Sequence, residues 1–378
     1  PTTAATADVI ITGETTNNYF GTSFASGDFN ADGKTDLAIG ASGYSTDTGR
    51  VYLYETRDNF AWQLQAQSSL SGGLRTNPSF SGQELKVTGE VGTGFFGVSM
   101  IAGDWNADGK TDLAVGANGY STNTGRAYIF YNDGHLAAAA TNADVIITGE
   151  TTGNYFATAL VSGDWNADGK TDLAVGAYGY SSNTGRTYLF YNDGSIPITA
   201  ATADVIITGE TTNNYFGSAI TSGDFNADGK TDLAVGAYQY STQTGRAYIF
   251  YNGSIITENA SGADIFITGQ TTTNYLGYAM TSGDFNADGK TDLAVGAYGY
   301  STNTGRAYIF YNGSIITENA SGADVIITGE TTNHYFGVSV TSGDFNADGK
   351  TDLVVGAYFY ASATGRAYVF YNDGSIPT

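Results

Sequence analysis

Large and small side chains alternate over Asp36-Leu37-Ala38-Ile39-Gly40-Ala41 with the period of two that marks a β-strand. The same pattern returns at Asp112, Asp172, Asp232, Asp292 and Asp352, and three more strand-like stretches accompany it. The first, Tyr19-Phe20-Gly21 through Ser26, is rich in small residues that suit a crowded axis (strand a); the alternating stretch is strand b. Strand c, Arg50-Val51-Tyr52-Leu53-Tyr54, follows the polar turn Ser45-Thr46-Asp47-Thr48-Gly49. Strand d is the nearly continuous apolar run Ala143-Asp144-Val145-Ile146-Ile147-Thr148, and Asn132-Asp133-Gly134 between c and d is a hairpin signal. No segment shows a helical apolar period.

Position along the chain turns these strands into an architecture. An acidic run joins strand a to strand b, and its copies begin at Asp28, Asp104, Asp164, Asp224, Asp284 and Asp344, so that after one interval of 76 residues the period is 60. Four antiparallel strands repeated radially predict an all-β, six-bladed β-propeller. A stacked solenoid needs atypical caps, and the end units keep the character of the others. Residues 7–14 read as a strand d without its a, b and c, whereas the last unit, Tyr335 to Tyr371, stops before its d. The expectation is therefore one domain over 1–378, closed by segment 7–14 pairing with the last blade. The blades fall at about 19–90, 95–150, 155–210, 215–270, 275–330 and 335–371. Within the first blade, 55–84 replaces the short c-to-d connection, and Trp62-Gln63-Leu64-Gln65 in it reads as an added outer strand.

The acidic run carries the clearest chemistry. It places oxygen side chains at positions 1, 3, 5 and 9 of a nine-residue loop with glycine at position 6, a pattern suited to a hard, oxygen-seeking cation. Position 1 is Asp28, Asp104, Asp164, Asp224, Asp284 or Asp344, and position 3 is Asn30, Asn106, Asn166, Asn226, Asn286 or Asn346. Position 5 is Asp32, Asp108, Asp168, Asp228, Asp288 or Asp348, and position 9 is Asp36, Asp112, Asp172, Asp232, Asp292 or Asp352. Position 7, which is Lys34, Lys110, Lys170, Lys230, Lys290 or Lys350, offers only its backbone carbonyl. About six Ca2+ ions, one per blade with water completing each shell, are expected.

Charge agrees with that reading. The net charge is −22, and the loops hold eighteen of the 37 acidic residues. Six divalent ions would bring the total to about −10, whereas without metal the loops repel themselves. The basic residues form no patch, so nucleic acid is not an expected partner. Cysteine is absent, which excludes disulfides and zinc–thiolate sites. No run of 18 apolar residues and no leader is visible, and the start at Pro1 reads as processing or excision from a longer protein.

Tyr19-Phe20-Gly21, Gly27-Asp28-Phe29-Asn30-Ala31-Asp32-Gly33, Leu37-Ala38-Ile39-Gly40-Ala41 and Gly49-Arg50-Val51-Tyr52 together resemble the FG-GAP repeat of integrin α-subunit heads and related prokaryotic surface proteins. The resemblance implies that the loop between strands a and b binds calcium, and that the protein has a cell-surface or secreted binding role, commonly adhesion. Integrin heads have seven blades and keep the acidic motif in only some, whereas this chain has six units and six motifs. The proline of the family's Gly-Ala-Pro is replaced by Ser42, Asn118, Tyr178, Tyr238, Tyr298 and Tyr358. The scaffold is expected to be shared, and the family's β-subunit or Arg-Gly-Asp partners are not.

Alternation of strand direction puts the a-to-b and c-to-d connections on one face and the b-to-c and d-to-a turns on the other. The second face collects Tyr44, Tyr120, Tyr180, Tyr240, Tyr300 and Tyr360, with Tyr19, Phe95, Tyr155, Tyr215, Tyr275 and Tyr335 nearby. These rings either meet a ligand or wedge between blades. Glu14, Glu90, Glu150, Glu210, Gln270 and Glu330 match six arginines that begin strand c, Arg50, Arg126, Arg186, Arg246, Arg306 and Arg366, so structural pairs are expected. Asn252, Asn259, Asn312 and Asn319 each open a glycosylation-type triplet. The only histidines, His135 and His334, have no counterparts in other units, so catalysis has little material. The sequence supports a calcium-stabilised extracellular binding or adhesion module, non-catalytic, for a protein or glycan ligand. The alternatives are a lectin or a rigid subunit of a surface assembly, and less readily a polysaccharide-acting enzyme.

Overall fold

The computed structural model describes residues 11–54, 85–133, 136–360 and 365–376. Six sheets follow one another as the blades of a propeller, each ordered a-b-c-d in sequence. In the first blade the strands are Phe20–Gly27, Asp36–Ala41, Arg50–Tyr54 and Leu85–Thr88. In the third they are Ala159–Gly163, Asp172–Ala177, Arg186–Phe190 and Val205–Thr208. The sixth has three among the described residues, Phe336–Gly343, Asp352–Ala357 and Arg366–Phe370.

The alternation within strand b sets how blades stack. Leu173, Val175, Tyr188 and Phe190 of the third blade bury against Ala114, Ala127, Ile129 and Ile147 of the second. Ala174 and Leu189 turn the other way and meet Leu233, Val235, Tyr248 and Phe250 of the fourth. A small face thus receives a large face at each seam, and strand b, covered on both sides, is wholly buried. Phe156, the first residue of the large face, packs edge-to-face on Tyr188 and Phe190.

Gly176 in strand b has a steric reason. A Cβ there would lie 2.0 Å from the carbonyl oxygen of Gly217 in the next blade. Gly236 and Gly296 meet Gly277 and Gly337 in the same way.

A second device crosses each seam. The Arg186 guanidinium lies 3.6 Å from the Tyr180 ring centroid, donates to Thr208 Oγ1, and pairs with Glu150 at 2.7 Å. Arg126 pairs with Glu90 and Arg246 with Glu210, and Arg306 donates to Gln270. The expected structural pairing is therefore present. It also accounts for the six tyrosines of the b-to-c turn, each of which carries its own arginine at 3.6–3.8 Å.

Three expectations need revision or lie elsewhere. Strands c and d are antiparallel, but the connection between them, described in full over 191–204 of the third unit, is no tight hairpin, and Gly134 of the expected turn lies outside the described residues. In later units this connection reaches back and adds a short parallel strand, Glu258–Asn259 or Glu318–Asn319, to the outer edge of the preceding blade. That covers an otherwise open edge, which outweighs the local turn preference. The insertion 55–84, with its expected strand at Trp62, lies outside the described residues, as does closing segment 7–14 up to residue 10. At the described end of that segment Glu14 pairs with Arg50, as Glu90 does with Arg126. On the sixth blade Phe345 is 48% exposed, whereas its counterpart Phe29 is 3% exposed.

Gly176→Ala is expected to destabilise by about 2–4 kcal/mol in thermal unfolding, because backbone on the facing blade cannot retreat as a side chain can. Arg186→Ala should cost about 1–3 kcal/mol, and a double-mutant cycle with Glu150→Ala should show coupling of about 1 kcal/mol. Additive losses would assign the arginine's effect to Tyr180 and Thr208.

Candidate metal centres and the opposite face

Each acidic loop turns on two left-handed residues, Ala31 (φ 57°) and Gly33 (φ 85°) in the first copy. Glycine is suited to the second of these by its lack of Cβ. With the backbone so curled, Asp28 accepts from the N–H groups of Asp32 and Gly33, Asn30 from that of Asp32, and Asp32 from that of Lys34. The same four bonds recur in the other five loops, from Asp104 to Lys110 and from Asp344 to Lys350.

Position 9 is placed differently. Asp172 is fully buried; one carboxylate oxygen accepts from Trp165 N and the other from Asn192 N, so it ties its own loop to the c-to-d connection. Asp112, Asp232 and Asp292 do the same. Burial pushes Asp112, Asp172, Asp232 and Asp292 up to about 6, and neighbouring loop aspartates add to the rise. Among the described residues no lysine or arginine forms an ion pair with these four, and Lys110 reaches Asp108 at 3.7 Å.

The structure thus gathers positions 1, 3 and 5 on one curled backbone and sets position 9 at the loop's base. It does not bring three carboxylates into a ready-made cage among the described residues. The donor set nevertheless fits calcium: every side chain at positions 1, 3, 5 and 9 offers oxygen, and the buried carboxylate carries charge without a cation. Asp28, Asn30, Asp32, Asp36 and the Lys34 carbonyl would hold the ion in the first loop, with their counterparts in the others, and the ion would neutralise the loop's carboxylates.

Neighbouring loops are coupled, which the spacing alone did not reveal. Position 2 is a buried aromatic in the first five loops, and the Trp105 and Trp165 indoles donate to the carbonyls of Asp172 and Asp232, each the position 9 residue of the next loop. In return, Asn132, Asn312 and Asn372 donate through Nδ2 to the carbonyls of Asp28, Asp224 and Asp284 in preceding loops. Asn252 does so to Asp164 and Trp165. The glycosylation-type triplets at Asn252 and Asn312 therefore have their amide nitrogens committed to this bridge. Asn259 and Asn319 likewise donate to Gly209 and Gly269.

The other face carries an aromatic ladder. Tyr155, Tyr178, Tyr215, Tyr238, Tyr275, Tyr298, Tyr335 and Tyr358 follow one another with ring centroids 4.7–6.2 Å apart. Half of these rings stand where the integrin-type repeat has proline, a substitution visible in the sequence to which no role attached. Burial raises the phenols of Tyr178 and Tyr298, and neighbouring tyrosines raise them further. His334 lies edge-on to Tyr360 with Thr331 at its ring nitrogens, and His135 lies outside the described residues.

Against known proteins, residues 20–54, 216–250, 276–310 and 336–370 match the FG-GAP repeat and residues 104–175 the FG-GAP-like repeat. Phosphatidylinositol-glycan-specific phospholipase D of Bos taurus is 33% identical over 56% of this chain and 27% of its own length. Integrin alpha-PS2 of Drosophila melanogaster is 29% identical over 75% of this chain and 21% of its own, and integrin alpha-8 of Gallus gallus 27% over 69% and 26%. The chain spans about a quarter of the length of these relatives. Six near-identical blades, an acidic loop from strand a to strand b in each, and matches spread over more than half of the residues have one reading: the chain belongs to the FG-GAP repeat family.

Proposed function

We propose that the chain is a calcium-stabilised binding module of the extracellular space or cell surface. It is non-catalytic and engages a protein or glycan ligand through the face opposite the acidic loops. The observation that carries the calcium reading is the buried position 9 carboxylate, repeated at Asp112, Asp172, Asp232 and Asp292, with backbone N–H partners and its proton affinity raised by burial. A divalent ion held by the same loop offsets that cost and the repulsion among three aspartates, and an ion that binds only the folded chain stabilises it by mass action.

The adhesion reading draws on similarity to integrin α-subunits over as much as 75% of this chain. The phospholipase D relatives favour a second reading, that of a binding domain accompanying an enzyme, since the match covers only 27% of the bovine protein. On either reading the propeller is taken to bind rather than to catalyse. The tyrosine ladder supports the choice of face, because amphipathic rings offer large contact area at low entropic cost.

Calcium at millimolar concentration is expected to raise Tm by at least several degrees and a chelator to reverse it, and an unchanged Tm overturns the calcium reading. Calorimetric titration should count about six sites of weak affinity, Kd on the order of 10⁻⁴ to 10⁻³ M. Asp164→Ala should remove one of them, while an unaltered count would place the ions elsewhere. In solid-phase binding to matrix proteins and glycans, Tyr298→Ala should weaken capture while leaving calcium stoichiometry unchanged. Equal capture by the variant would move the ligand off the ladder.

A further inference from the structure

The fourth unit breaks the repeat at two turn positions on the ladder face. Gln239 stands where units one, two, three and five have Gly43, Gly119, Gly179 and Gly299, and Gln243 where they have Asp47, Asn123, Asn183 and Asn303. The glycine is a packing requirement. A Cβ at Gly179 would fall 2.2 Å from the Gly153 carbonyl oxygen and 2.7 Å from the Tyr155 ring, and one at Gly299 would fall 2.0 Å from the Thr273 oxygen. Glutamine cannot approach so closely. The N–H of Gln239 accordingly reaches the Asn214 carbonyl at 3.4 Å, where the four glycines make the equivalent bond at 3.0–3.2 Å.

The turn stands off, and a crevice of about 410 Å³ lies between residues 211–214 on one side and Gln239 with 241–243 on the other. That volume lies within the range of small-ligand sites. Its walls are threonine, asparagine, glutamine and serine, without a charged group. Asn214 lines it, is 4% exposed, and has no acceptor for Nδ2. Asn18, Asn154 and Asn274 carry the same unpartnered donor, but there glycine holds the turn close. Gln239 Nε2 also donates to the Tyr238 hydroxyl at 3.4 Å, and that ring lies 5.3 Å from Tyr215 and 5.0 Å from Tyr278.

We propose that this crevice binds a neutral hexopyranose residue, a reading that deepens and rests on the binding module described above. Side-chain amides and hydroxyls match ring hydroxyls, which both donate and accept, and a sugar oxygen supplies the acceptor that Asn214 lacks. No aromatic ring lines the crevice, so the amides and hydroxyls of its walls carry the recognition. An ionic ligand would find no counter-charge in the walls.

The test is a titration of calcium-loaded protein with methyl α-glucoside, α-galactoside and α-mannoside, read by calorimetry and by the ¹⁵N side-chain amide signals of asparagine and glutamine. At least one glycoside is expected to bind at one site with millimolar affinity and shift the Asn214 amide signals. Gln239→Gly restores the residue of the other units, so the fold is kept; binding should weaken at least tenfold with Tm unchanged or raised. Asn214→Asp, which replaces the donor by an acceptor of the same shape, should weaken it as well. Equal binding by wild type and Gln239→Gly, or no amide shift at tens of millimolar with any of the three glycosides, overturns the proposal. Failure here with calcium stabilisation and solid-phase capture intact removes the crevice alone. Loss of those two removes the module reading, whatever the glycosides do.

Discussion

Stacking of a small face on a large face is the contact from which the rest of this propeller follows. Strand b carries Leu173, Val175 and Ala177 toward one neighbour and Ala174 and Gly176 toward the other. A blade with bulky residues on both faces would hold its neighbours apart, and one with small residues on both would leave voids. Close packing tolerates neither. Gly176 extends the approach to backbone, since the Gly217 carbonyl occupies the place of its missing Cβ. Every later feature, including the edge-to-face aromatics and the Arg–Glu pairs across seams, presupposes that spacing.

The acidic loops depend on the same seams. The position 2 aromatics of the first five are buried, and Trp105 and Trp165 reach the base of the next loop. Asparagines of later blades return the contact through backbone carbonyls, as Asn312 does to Asp224. A carboxylate such as Asp172 then serves the fold before it serves any ion, since it joins loop and c-to-d connection through two backbone N–H groups. Burial of its charge is costly. Retaining aspartate in every copy, where a neutral acceptor would satisfy the same N–H groups, makes sense if a cation supplies the balance. The side chain is a structural staple as it stands, and metal ligation would be a second demand on it, open to the lone pairs that the two N–H groups leave free.

The two faces differ in how freely they vary. On the loop face the six motifs are nearly invariant, because each residue there answers to backbone geometry and to its neighbour's loop. On the ladder face, units depart from one another at single turn positions: Gln239 and Phe359 replace glycine, and His334 replaces asparagine. Such departures cost packing, as the displaced turn at Gln239 shows. Local asymmetry of that kind is where a ring of equal units can acquire one site unlike the others.

The sequence alone determined the blade, its strand order, the two faces and the acidic loop. Each rests on local rules, a period of two, a glycine at a forced turn, oxygen at alternate positions, that operate within a few residues. The tertiary structure decided what spans a seam. That strand d of one blade takes a parallel segment from the next, that the Asn312 amide reaches a neighbour's loop, and that Asp172 is buried under two N–H donors are facts about residues 20 to 90 positions apart. The ladder tyrosines at 178, 238, 298 and 358 were legible as a departure from proline, but their stacking required the spacing between blades. Periodicity reports which side of a strand a residue occupies; only packing reports what it meets there.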